Sequence, residues 1–183
     1  MENFYGYDTL LIKKYLSESG HEINLRGSKS RDVYSINVTS KSGQSSTFKI
    51  ADNWYIASHT YIVWDNDDYI FIRYGCGTNC WGGLVLSLND NRGIMHYPAY
   101  VYSDSIRNLI VYPDSSNQRR IIIENLTNRK QISSELDLCK IAMMPIEMID
   151  SVYLDARDLF VRYKTENCAL EATKKINVAF IEY

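Results

Sequence analysis

The chain has 183 residues, 45% hydrophobic and 23% charged, with a formal net charge of −2. That length suits one domain, spanning 1–183, that can bury a core without metal or disulfide staples, and the composition argues against both a disordered and a membrane class. Its Lys and Arg residues are scattered, and the pairs Arg119-Arg120 and Lys174-Lys175 read as solvated hairpin faces, which argues against a nucleic-acid surface with its basic stripe.

The N-terminal stretch has no basic segment leading into an unbroken apolar run and no small-residue cleavage site, so a cytoplasmic location is expected. In that compartment the four cysteines are expected to be reduced thiols, and the sequons at Asn37 and Asn125 are incidental. From Asp8 to Ser17 the apolar Leu10, Leu11, Tyr15 and Leu16 fall on one helical face, with Asp8 placed to cap and Gly20 to terminate, which predicts one short helix. A strand over Thr9 to Ile12 is the alternative.

From Asp32 the period changes to two. Tyr34, Ile36 and Val38 alternate with Val33, Ser35 and Asn37, and Lys41 to Ser45 turn the chain into a return strand over Thr47 to Ile50. Tyr69 to Tyr74 and Leu84 to Leu88 are apolar on both faces, as in a strand covered on two sides. A third hairpin pairs Leu109–Tyr112 with Ile121–Leu126, and a fourth pairs Leu159–Tyr163 with a weaker strand toward Ile176. Strands over Tyr55–Trp64, His96–Tyr102 and Met148–Leu154 lead into the last three hairpins, and Ser133 to Cys139 has room for a helical turn.

The runs that follow Asp32, Asp68, Asn108 and Asp158 are spaced about 36, 40 and 50 residues apart, the scale of a propeller blade. Fifteen tyrosines against three prolines, with Val and Ile in the apolar runs, give a strand-forming composition. The fold expected is all-β and mostly antiparallel hairpins, arranged as a four-unit propeller-like array, with a β-sandwich as the alternative. Joining turns such as Asp65-Asn66-Asp67-Asp68 place short polar side chains where they bond the backbone. The spacing of an EF-hand is missing there, so no calcium site is expected.

Cys76 and Cys80, set among glycines, admit a redox dithiol, half of a metal site, or plain packing in a tight strand connection. Three intervening residues and flanking strands disfavour the first, and Cys139 and Cys168 stand far off without close His partners, which disfavours the second. His21, His59 and His96 share no ligand spacing. Cys76 or Cys80 with His96 and Asp104 makes a triad on paper only, since no nucleophile elbow or phosphate loop supports it. No catalytic, cofactor or metal residue is therefore assigned, and the chain is read as a non-enzyme.

Tyrosine and tryptophan are enriched where proteins meet. On residue type, partner contacts are placed at Asp65, Asp67, Asp68, Trp81, Tyr97, Tyr100 and Tyr102. In size, mild acidity, lack of an export signal and its Asn, Lys, Ile and Tyr usage, the chain resembles immunity proteins of bacterial polymorphic-toxin and contact-dependent growth-inhibition systems. The resemblance implies binding to a cognate toxin domain and occlusion of its active cleft, with acidic side chains standing in for substrate phosphate if the toxin is a nuclease. The rival readings are a cysteine-centred enzyme and a structural module that binds a peptide or a glycan.

Overall fold

The computed structural model describes residues 9–28, 33–50, 60–77, 80–89, 93–117, 119–139, 145–165, 168 and 170–181. The chain is all-β: four antiparallel meander sheets follow one another in sequence order, and none closes into a barrel. It divides into two compact units, Met1–Pro98 and Ala99–Tyr183.

In the first unit, β1 (Thr9–Leu16), β2 (Glu22–Ser28), β3 (Val33–Thr39) and β4 (Ser45–Ile50) form one sheet in that order. A second sheet holds β5 (Thr60–Asp65), β6 (Tyr69–Gly77), β7 (Cys80–Ser87) and β8 (Ile94–Tyr97). Ile23, Leu25, Ile36 and Val38 of the first sheet share a core with Ile70, Ile72, Leu84 and Leu86 of the second. Alternation explains the pairing of faces, because successive side chains of a strand point to opposite sides of its sheet. Strands β6 and β7 are buried on both sides, with Phe71 and Val85 as covered as Ile70 and Leu86, which matches their unbroken apolar sequence.

In the second unit, β9 (Tyr102–Asp104), β10 (Leu109–Pro113), β11 (Arg120–Asn125) and β12 (Gln131–Glu135) make one sheet. A 3-10 turn at Pro145–Met148 leads into the other, made of β13 (Ile149–Asp155), β14 (Asp158–Lys164) and β15 (Glu171–Asn177). Leu109, Val111, Ile121 and Ile123 share a core with Leu159, Val161 and Tyr163. Within each unit, then, residues of both sheets contribute to one core.

Three local expectations need correction. Residues 9–16 form a strand, not a helix. A bulge between Leu11 and Lys13 shifts the register, so Ile12 and Tyr15, three apart, both pack on the core, and that spacing imitates a helical period. Leu11 and Leu16 point outward, 52% and 77% exposed. The run His96–Tyr102 is two pieces: β8 pairs with β7 and β9 pairs with β10, parted near Pro98, which has no N–H to give a ladder. Residues 131–135 are an edge strand that alternates in exposure, and Leu138 bridges to Thr165 where a helical turn was expected.

The expectation of reduced thiols also fails for one pair. Cys139 and Cys168 form a disulfide with their Cα atoms 5.2 Å apart, inside the ordinary range for such a bond. The side chains of Cys76 and Cys80, and the part of the expected Tyr55–Trp64 strand at 55–59, lie outside the described residues.

Candidate functional site

Two turns of the first unit meet at one end of it. The β1–β2 turn closes through Ser17 N–H on His21 O at 2.9 Å, and His21 N–H donates to Ser17 Oγ at 2.9 Å. Gly20 sits there at φ +87°, a left-handed geometry that glycine adopts without steric cost. The β5–β6 turn is organised by Asn66, whose Oδ1 accepts from Asp68 N–H at 3.0 Å and Tyr69 N–H at 2.9 Å. The backbone is thus served by the one amide in the acidic tetrad, which leaves the carboxylates available for other roles. One of them ties the two turns together: Ser19 N–H donates to Asp65 Oδ2 at 3.1 Å. Asn89 braces the far side, donating to Asp67 O at 2.9 Å and Asp68 Oδ1 at 2.8 Å.

The tied turns and their strands carry exposed apolar and acidic side chains. Leu16 stands 77% exposed at the end of β1, and Val63, in the β5 bulge, is 39% exposed. Glu18 is exposed in the β1–β2 turn, and Asp67 and Asp68 are exposed in the β5–β6 turn. Among the described residues, the carboxylates of Glu18 and Asp67 have no ionic partner. Lys41 lies beside the β1–β2 turn, its stem along Gly20. Covering Leu16 would contribute about 1.5–2 kcal/mol, and exposed carboxylates on the tied turns favour a basic partner over an acidic one.

The other expected contacts do not join this patch. Trp81 pairs with Gly75 near the opposite end of β6, about 20 Å from Tyr69 at the usual rise per strand residue. Its ring carries the Arg73 guanidinium at 4.4 Å, and Arg73 also lies 5.5 Å from the Tyr61 ring. This Tyr61–Arg73–Trp81 ladder was not foreseen, because it depends on β5 to β7 register. Tyr97 and Tyr100 are buried, 5% and 7% exposed, and so offer little surface for a contact; Tyr97 ends β8 and Tyr100 lies in the link between β8 and β9. Tyr102, in the second unit, packs against its core. Burial and then the Asp104 carboxylate, 3.4 Å from its hydroxyl, raise its pKa above the ordinary value.

Two groups of the paper triad are otherwise engaged. His96 Nε2 hydrogen-bonds the Tyr74 hydroxyl, and burial holds the His96 pKa below its usual range while raising that of Tyr74. Asp104 belongs to the second unit, where its Oδ1 accepts from Arg107 N–H at 2.7 Å. Among the described residues no group of three His, Cys, Asp or Glu side chains is placed to hold a metal ion, and no helix is long and apolar enough to cross a membrane.

The second unit holds a different kind of polar cluster. Glu124 is 1% exposed. Its Oε2 accepts from Tyr112 Oη at 2.8 Å and Gln131 Nε2 at 2.9 Å, and its Oε1 lies 2.6 Å from Arg129 Nη1. Its carboxylate oxygens are thus engaged by Tyr112, Gln131 and Arg129. Comparison with protein-family models, curated proteins and solved structures finds no match.

Proposed function

We propose that the chain is a protein-binding module that neutralises a cognate bacterial toxin by covering its active cleft, as an immunity protein acting in the cytoplasm. The observation that carries the reading is the exposed Leu16 next to the β1–β2 turn, which the Ser19 hydrogen bond to Asp65 ties to the acidic β5–β6 turn. An exposed apolar anchor with acidic turns at the same end of the unit suits a partner whose cleft is lined with Lys and Arg, as a phosphate-cleaving cleft is. Asp67 and Asp68 would occupy the places that substrate phosphates take. Stiff turns favour such binding, because little side-chain and loop freedom remains to be lost.

The test is protection. Cells that produce the toxin domain encoded beside this chain should survive when the chain is co-produced, and should die when it carries Leu16→Ser with Asp67→Asn and Asp68→Asn. Survival with the triple variant, or a neighbourhood of metabolic genes with no toxin, would count against the reading.

A further inference from the structure

We propose that the Cys139–Cys168 disulfide is a reversible clasp that fixes one wall of a cleft in the second unit. The cleft, of about 330 Å³, is lined by Arg119, Glu135, Leu136, Asp137, Tyr163 and Lys174. Its wall is the segment that follows β12. That segment is held at one end by Lys174 Nζ donating to Glu135 O at 2.5 Å and by Leu136 N–H donating to Arg119 O at 2.7 Å. At the other end, Cys139 N–H donates to Lys164 O at 3.1 Å and Leu138 bridges to Thr165. The disulfide joins this end to the β14–β15 connection, across 29 residues of sequence.

Cys168 is the stressed side of the clasp. It lies at φ +59°, a left-handed conformation that costs an L-residue about 1 kcal/mol or more. Its N–H donates to Thr165 O at 2.8 Å, and Thr165 N–H donates to Leu170 O at 2.8 Å. With the bond open, the backbone at Cys168 is free to leave that conformation, and the Cys139 end of the wall loses its covalent tie. Leu136 and Leu138, 2% and 3% exposed, keep the rest of the wall seated. The change is therefore local, and the core of the unit stays closed.

The chemistry is thiol–disulfide exchange with a dithiol reductant. A thiolate of the dithiol attacks one sulfur, the Cys139–Cys168 bond breaks, and the second thiol of the reductant resolves the mixed disulfide. Two electrons and two protons pass to the cysteines, and the dithiol becomes a disulfide. Bonds of this kind in a reducing compartment are characteristically redox-responsive.

Alkylation with iodoacetamide followed by mass spectrometry, and amide hydrogen exchange, test the clasp on the whole chain. The non-reduced protein should leave Cys139 and Cys168 unlabelled, and dithiothreitol should expose both. Exchange at the Cys139, Thr165 and Cys168 amides should then rise about tenfold or more, while Val111, Ile123 and Val161 keep their protection. The Cys139→Ser/Cys168→Ser variant, without reductant, should show the same pattern. Labelling of both thiols before reduction, unchanged exchange at those three amides, or loss of protection throughout the unit in the reduced wild-type protein would each overturn the proposal.

Discussion

The Tyr74 ring lies across Gly82, its cross-strand partner, and reaches past it to His96 on the next strand. A Cβ at position 82 would overlap the ring, so the glycine is what lets a large aromatic lie flat in the core of the first unit. Gly27 repeats the arrangement in the neighbouring sheet, where a Cβ would stand 2.8 Å from the ring of its partner Tyr34. Gly82→Ala should destabilise the protein by about 1–3 kcal/mol through overpacking. Chemical denaturation checks this, and in a Tyr74→Ala background the cost of Gly82→Ala should largely vanish, as expected for residues in contact.

The hydrogen bond between Tyr74 and His96 sits on a histidine that burial keeps below its usual pKa of 6.5. The unfolded chain therefore takes up a proton more readily than the folded one. The stability this group contributes is present above the unfolded value and is lost as pH falls through the lower folded value. The urea midpoint should fall between about pH 7.5 and about pH 5, a window set by the unfolded histidine pKa. His96→Gln should flatten that part of the dependence, leaving the acid limb set by Glu22, Asp114 and Asp158, whose pKa values are lowered by hydrogen bonds, led by Asn24, Ser116 and Lys175 respectively.

Glu124 is the buried charge on which the second unit depends. Removing Arg129 would leave the carboxylate without its ion partner, and removing Glu124 would strand the Tyr112 and Gln131 donors. Glu124→Ala should cost about 1–3 kcal/mol, the penalty of unpaired donors, measured by denaturant unfolding. Glu124→Gln should cost less, since it keeps an acceptor for the Tyr112 hydroxyl.

Turn chemistry and surface charge separate cleanly at the β5–β6 turn. Asn66→Ala removes the acceptor for two backbone N–H groups and should cost about 1–3 kcal/mol. Asp67→Asn should leave stability within about 0.5 kcal/mol, because its exposed carboxylate makes no bond to the described backbone. Thermal melts of the two variants check the contrast.

Much of this architecture was legible in the sequence. The alternation at Tyr34, Ile36 and Val38, the two-faced apolar run at Tyr69–Tyr74 and the Asp- and Asn-led turns each carry a local physical signature that survives into the sheets. What escaped depended on nonlocal pairing. The β1 bulge reads as helix until β2 sets the register, and the face that Arg73 shares with Tyr61 and Trp81 exists only once three strands are aligned. Tyr97 and Tyr100 have an interface composition but are buried, because residue type does not say which face of a strand packs. The Cys139–Cys168 bond was hidden for the same reason, since cysteine spacing alone does not fix connectivity. Of the proposed partner site, the acidic turn was an expectation from residue type, and the exposure of Leu16 was hidden by the helical reading of its strand.

The most direct test of the central claim is isothermal titration calorimetry of the purified chain against the toxin domain that the proposal expects to be encoded beside it, with a catalytically inactive form of that domain as titrant. Wild-type chain should bind, and Leu16→Ser with Asp67→Asn and Asp68→Asn should weaken binding by at least about tenfold, about 1.4 kcal/mol, with the melting temperature kept. Equal affinity for the folded triple variant would contradict the assignment of the Leu16 and Asp65–Asp68 rim as the toxin-binding surface.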